Sequence, residues 1–258
     1  MKSVVAGGHR LEFEQWGSVT SGAPTLVFLH EGLGCVAMWR GFPAAVAEAT
    51  GCRALVYSRA GYGGSDPIEL PRPTRYMHDE AARALPELLD AIGVRSAILI
   101  GHSDGASIAL IHAGSDASHR IEALVLEAPH VFVEDISVTS IAAAKRAYDT
   151  GDLRARLERY HGSNTDGAFR GWNDVWLSDD FRAWNIEEYL PRIRVPALVV
   201  QGEEDAYGTL AQIEAIQAKS GGPVERSILP SCGHSPHRDR PNETLDAIVR
   251  FVATIATR

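Results

Sequence analysis

The sequence predicts an α/β protein, with a mostly parallel twisted sheet, helices on both faces and one helical insertion. Three observations carry this prediction. Residues 25–29, 53–57, 97–100, 123–126 and 197–200 are short runs rich in β-branched and aliphatic side chains, continuous rather than alternating. Continuous runs are the pattern of strands buried on both faces. Helical periods fall between several of these runs, and that alternation implies parallel strands joined by right-handed crossovers. Residues 131–190 break the rhythm: they hold helical pieces at 140–148 and 153–160 and no strong strand.

Taken in chain order, residues 4–6 and 10–17 read as an antiparallel pair. Leu11, Phe13 and Gln15 alternate with Glu12, Glu14 and Trp16, the pattern of a half-exposed strand. Met77, Ala81, Leu85, Leu88, Leu89 and Ile92 fall on one helical stripe, with a kink expected at Pro86. Residues 224–229 read as a last strand. Leu245, Ile248, Val249, Val252 and Ile255 mark a terminal helix, with Asn242 as its expected cap. The division expected is a sheet core of residues 1–130 and 191–258 around an insertion of residues 131–190.

Composition narrows the function. The 258 residues are 45% hydrophobic and 22% charged, an ordinary globular balance. A net charge of −8 without a basic block argues against nucleic acid and anionic membranes as partners. No apolar run approaches the ~18 residues of a membrane-spanning helix, and the first residues lack the apolar stretch of a secretory signal. Cys35, Cys52 and Cys232 are too few for a disulfide framework and lack zinc spacing. A cytoplasmic protein with reduced cysteines, no metal and no cofactor is expected. A homo-oligomer is compatible with the sequence.

The chemistry concentrates after strands. Gly101-His102-Ser103-Asp104-Gly105 fits G-x-S-x-G, follows the run 97–100 and opens a helical stretch. Small flanking residues suit a sharp turn that holds a strained serine with its hydroxyl outward. A serine hydroxyl needs an adjacent base. Among ten histidines, His234 lies in a loop just past the strand 224–229, where catalysts of such sheets collect. His237 reads as packing or capping. His102 sits beside the nucleophile but points elsewhere, and His30 ends a buried strand. The base needs an acid to set its tautomer. Asp205, just past the strand 197–200, completes the order Ser-Asp-His. Glu127, ending the preceding strand, is a rival acid; Glu203 and Glu204 read as solvated. A tetrahedral oxyanion needs two aimed N–H groups. Asp104 should supply one, and Gly32, with Leu33 second, the other, from the loop His30-Glu31-Gly32-Leu33-Gly34.

Together these residues resemble the α/β-hydrolase superfamily, in its serine-nucleophile branch with a helical cap, similar to esterases and enol-lactonases. The resemblance spans essentially the whole chain. Its motifs are the elbow Gly101–Gly105, the loop after the first parallel strand, Asp205 and the Gly233-His234 pair. Ser58-Arg59-Ala60-Gly61-Tyr62-Gly63-Gly64-Ser65 is similar to the family's R-G-x-G-x-S turn. The resemblance implies that residues 131–190 form a cap (lid) roofing the site. Ser103 separates the chain from haloalkane dehalogenases and epoxide hydrolases, which use aspartate there. The oxyanion loop also resembles that of macrolactone hydrolases, whose acid lies on an earlier strand, so Glu127 stays open.

Two departures stand out. Glu31 replaces the usual glycine after His30, and Asp104 stands where many relatives are neutral. Both acids are expected at the mouth, disfavouring anionic substrates. The expected activity is hydrolysis of a small, apolar carboxylic ester or lactone through an acyl-enzyme. Glu31, Leu33, Trp39, His130, Phe132, Trp172, Trp176 and Trp184 are the expected pocket. C–C bond hydrolysis of ring-cleavage products is an alternative, with Arg40, Arg59, Arg170 or Arg182 for a substrate carboxylate. A non-catalytic binding module is another.

Overall fold

The structure is a computed structural model, and it describes residues 2–18, 22–115 and 120–255. The strands are β1 (Lys2–Ala6), β2 (His9–Trp16), β3 (Thr25–Leu29), β4 (Ala54–Tyr57), β5 (Ala97–His102), β6 (Ile121–Glu127), β7 (Ala197–Gly202) and β8 (Val224–Leu229). They form one sheet in the order β1-β2-β4-β3-β5-β6-β7-β8. β1 and β2 pair antiparallel, as does β2 with β4; every pairing from β4 onward to β8 is parallel.

The continuous apolar runs have a simple cause. Successive strand residues point to opposite faces, and both faces are covered. Val27, Leu55, Leu99, Leu124 and Val199 belong to one core. Their neighbours Phe28, Val56, Ile98, Val125 and Leu198 belong to the other. The second core is closed by α1 (Phe42–Thr50) and by the C-terminal helix.

Helical residues 76–92 divide into α2 (Tyr76–Asp79), a π-helical turn (Glu80–Ala84) and α3 (Leu85–Ile92). The irregularity therefore precedes Pro86 rather than sitting at it. Proline cannot donate back to the preceding turn, and a π turn is one way a helix accommodates such a break. The stripe Met77, Ala81, Leu85, Leu88 and Leu89 is buried as the period requires. β2 departs from expectation at Glu12. It is only 4% exposed, because the Ser58 hydroxyl donates to its carboxylate at 2.5 Å.

α4 (Asp104–Ser115) follows β5 directly. Between β6 and β7 run α5 (Asp135–Thr150), α6 (Leu153–His161) and α7 (Thr165–Trp176). This segment is fastened to the loops after β3 and β4. His161 donates from Nε2 to the Leu33 carbonyl and accepts at Nδ1 from the Gly63 N–H, at 2.9 and 3.0 Å. Asn164 donates to the carbonyls of Gly63 and Ser65. α8 (Leu210–Lys219) precedes β8, and α9 (Pro236–Asp239) and α10 (Pro241–Ile255) end the chain. α10 starts at Pro241, a residue preorganised for a first helical turn, so Asn242 lies inside that turn instead of capping it. Among the described residues, no helix is long and apolar enough to cross a membrane.

Candidate active site

Ser103 sits between β5 and α4 at φ +53°, a left-handed conformation that is costly for a serine. The two glycines of the motif explain how the turn closes. A Cβ on Gly101 would fall 2.5 Å from the Gly105 carbonyl oxygen, and one on Gly105 would fall 2.0 Å from that of Leu29. The turn thus packs backbone on backbone, and the serine is the residue left projecting.

Ser103 Oγ lies 3.0 Å from Nε2 of His234, and His234 Nδ1 lies 2.9 and 2.8 Å from the two carboxylate oxygens of Asp205. The three come from loops after β5, β8 and β7, so parallel neighbours bring their carboxyl ends together. Gln201 Nε2 donates to Asp205 at 2.8 Å, and the Tyr207 N–H donates at 2.7 Å. Burial raises the Asp205 pKa, but the His234 hydrogen bond and charge and the Tyr207 N–H outweigh it. The carboxyl is held below its ordinary value.

The rival acid is engaged elsewhere. Glu127 accepts from His237 Nδ1 at 2.7 Å and from the His237 N–H at 3.2 Å. His237 is in turn packed against Trp39 and Phe42. The structure brings Asp205, not Glu127, to His234.

His102 bridges two loops. Its Nε2 donates to the His234 carbonyl at 2.6 Å, and its Nδ1 is 3.5 Å from the Glu31 carboxylate. Burial lowers the His102 pKa, yet the Glu31 hydrogen bond and charge, with Glu127 behind them, raise it overall. Glu31 is likewise pushed up by burial but held well below the carboxylate range by His102.

The expectation of two acids at the mouth needs correction. Asp104 is fully buried. Its carboxylate accepts from the Tyr76 hydroxyl and, at 3.3 Å, from Trp176 Nε1, with Arg59 Nη1 at 4.0 Å. Burial raises its pKa above the ordinary value, although Arg59 opposes this. Glu31 does reach the mouth, but it is 22% exposed and paired with His102 rather than freely solvated.

A cavity of about 400 Å³ opens on Ser103 and His234. Of the residues proposed for the pocket, Glu31, Leu33, His130, Trp172 and Trp176 line it, and so does Gly32, proposed for the oxyanion hole. Gly32 is a glycine for a visible reason: a Cβ there would lie 2.2 Å from the Trp172 ring. Three expected lining residues lie elsewhere. Trp39 packs behind the site on Phe28, His102 and His237. Phe132 is pinned in an isolated bridge to Asn185. Trp184 stacks on Phe181 against Trp176.

The expected basic residues are also placed away from the cavity. Arg59 is buried, with its guanidinium on the Glu31 carbonyl. Arg170 pairs with Asp149 and Arg182 with Asp135. Arg40 lines a separate surface cavity with Phe42 and Leu245.

Sequence reasoning missed several groups. Ile141, Leu153 and Leu157 supply apolar wall from α5 and α6, and Arg238 stands at the rim. Tyr207 lies with its ring 4.7 Å from that of His234. A signal existed for Tyr207: aspartate commonly turns the chain by accepting from the N–H two residues on. Among the described residues, no cluster of three His, Cys, Asp or Glu has the arrangement of a metal site.

Comparison with known proteins decides the family. Residues 26–247 match the model of the alpha/beta hydrolase family. The chain belongs to that family and is a hydrolase. This alpha/beta hydrolase is 28% identical over 222 residues to the "Putative carbamate hydrolase RutD" of Stutzerimonas stutzeri strain A1501, covering 76% of this chain and 79% of that protein. It is similar in fold to the enol-lactonase of Burkholderia xenovorans LB400, with TM-score 0.72 and 20% identity over the whole of both chains. It is also similar to a thermophilic esterase of Thermogutta terrifontis, with TM-score 0.75 and 19% identity over 99% of this chain and 100% of that one.

Proposed function

We propose that this alpha/beta hydrolase cleaves a carboxylic ester or lactone through an acyl-enzyme on Ser103. The observation that carries the reading is the hydrogen-bonded chain Ser103–His234–Asp205 opening on a cavity with an apolar wall of Leu33, Ile141, Leu153, Leu157, Trp172 and Trp176. Ser103 Oγ attacks the carbonyl carbon while His234 Nε2 takes the hydroxyl proton. Asp205 holds the ring with its proton on Nδ1 and stabilises the imidazolium. The oxyanion is held by the N–H groups of Gly32 and Asp104. Asp104 opens α4, and first-turn N–H groups lack partners within a helix. Collapse of the intermediate breaks the C–O bond, and His234 returns the proton to the leaving oxygen. Water, activated by His234, then frees the acid and regenerates the Ser103 hydroxyl.

The helices between β6 and β7 act in this scheme as a cap. They supply the apolar wall and are fixed to the loops after β3 and β4. The similar enol-lactonase and esterase accord with the proposed chemistry, and the similar putative carbamate hydrolase adds a carbamate as a second acyl substrate class. C–C bond hydrolysis gains no support from the arginines proposed for it.

The test is labelling by a fluorophosphonate probe, followed by turnover of neutral esters, lactones and carbamates. Wild type is expected to label and Ser103→Ala to lose labelling. No labelling of wild type, or equal labelling of the variant, sinks the reading.

A further inference from the structure

The acyl-transfer scheme leaves His130 without a task. This residue follows β6, is 2% exposed and forms part of the wall of the Ser103 cavity. Its position is fixed from behind: the Ser107 hydroxyl donates to its carbonyl at 2.6 Å. Its ring lies between Trp176 and His234, with centroids 5.3 and 5.6 Å away.

Two features bear on what this ring can offer a substrate. Nδ1 is buried with no hydrogen-bond partner among the described residues, so no acceptor there holds the ring proton. The Nδ1–Cε1 edge faces Gly208, where an added Cβ would stand 3.5 and 3.2 Å from those atoms. His130 lines the cavity while Nδ1 and Cε1 lie by Gly208, so Nε2–Cδ2 is the edge through which the ring can meet a substrate. Burial, then the charge of His234, push the His130 pKa down to about 3, so the ring is neutral near neutral pH. With no acceptor at Nδ1 among the described residues, the single ring proton belongs on Nε2.

We propose that His130 is a specificity-determining residue that donates a hydrogen bond from Nε2 to a second, uncharged oxygen of the substrate. The preferred substrate is then an apolar ester or lactone with an ether, keto or hydroxyl oxygen a few bonds from the scissile carbonyl. A neutral imidazole offers such an oxygen a donor without the charge needed to hold a carboxylate. The apolar lining residues Trp176 and Ile141 suit the rest of such a molecule. This proposal rests on the ester-hydrolase reading above.

The test uses length-matched p-nitrophenyl esters in which one methylene is replaced by oxygen: pentanoate against 3-methoxypropanoate and 2-ethoxyacetate. Each rate is divided by that ester's spontaneous hydrolysis. Wild type is expected to favour one ether ester by about tenfold in kcat/KM, the scale of one net hydrogen bond. In His130→Phe the ratio should fall toward one, mainly through KM, and in His130→Gln, which keeps a donor, it should recover in part. A wild-type ratio of one at every oxygen position, or a ratio unchanged in His130→Phe, overturns the proposal. Nitrogen-15 NMR of wild type provides a readout free of variants: a charged ring at pH 7, or a proton on Nδ1, overturns it as well. Failure of wild type to label with fluorophosphonate or cleave any ester would fail the ester-hydrolase reading, and this proposal with it. Labelling and pentanoate turnover without ether preference would fail His130 alone.

Discussion

Two histidine–carboxylate pairs stand at neighbouring strand ends, nearly equal in length and unlike in surroundings. His234 meets Asp205 at 2.8 Å and His237 meets Glu127 at 2.7 Å. The His234 side chain is 17% exposed and its far nitrogen meets Ser103; that of His237 is 6% exposed and lies against Trp39 and Phe42. A carboxylate can orient an imidazole anywhere. What separates a base from a structural strut is the group at the other ring nitrogen and the space beside it.

The largest expected effect breaks the comparison at the carboxylates. Asp205→Asn should lower kcat by about 10⁴-fold, as loss of the orienting acid does in such triads. Glu127→Gln should leave kcat within its order of magnitude and instead lower stability, by about 1–3 kcal/mol for a disturbed buried hydrogen bond. Steady-state kinetics and urea denaturation of both variants check this. The reverse pattern would make Glu127 the acid.

Trp176→Phe sharpens the comparison from α7. It removes the Nε1 donor to Asp104 and to the Tyr76 hydroxyl, at 3.3 and 3.1 Å. A stability loss of about 1–3 kcal/mol is expected, read from urea midpoints.

A smaller effect depends on pH. The His102 pKa is raised in the folded protein, so its pairing stabilises fully below the unfolded value of about 6.5. That contribution fades as pH rises through the folded value. Denaturation series from pH 6 to 9 should show stability falling in wild type and a flatter profile in His102→Gln. Asp205 works in the opposite sense: its depressed pKa stabilises above about pH 3.9 and is lost only as pH falls through the lower folded value.

The sheet was legible because burial on two faces leaves a trace in the strands themselves. Ser103, Asp205 and His234 were legible because each lies within five residues of a strand's carboxyl end, where direction and end are both readable. Trp39 ends a single helical turn and Asp104 is the first residue of α4, positions too close to an element's end for a period to assign a face, so nothing in the sequence turned Trp39 behind the site or Asp104 inward to Tyr76 and Trp176. Glu12 was misread for a related reason: alternation assigns a face, whereas the hydroxyl that buries this carboxylate comes from Ser58, 46 positions away.

The contact between Gly32 and Trp172 sets a rule for how this enzyme is open to change. A side chain at residue 32 would need the volume the indole occupies. Substitutions at the two positions are therefore non-additive. Gly32→Ala should be damaging alone and tolerated once Trp172 is made small. A laboratory lineage seeking a larger substrate would have to change Trp172 first, and the order of mutations, more than their number, would decide which variants are reachable.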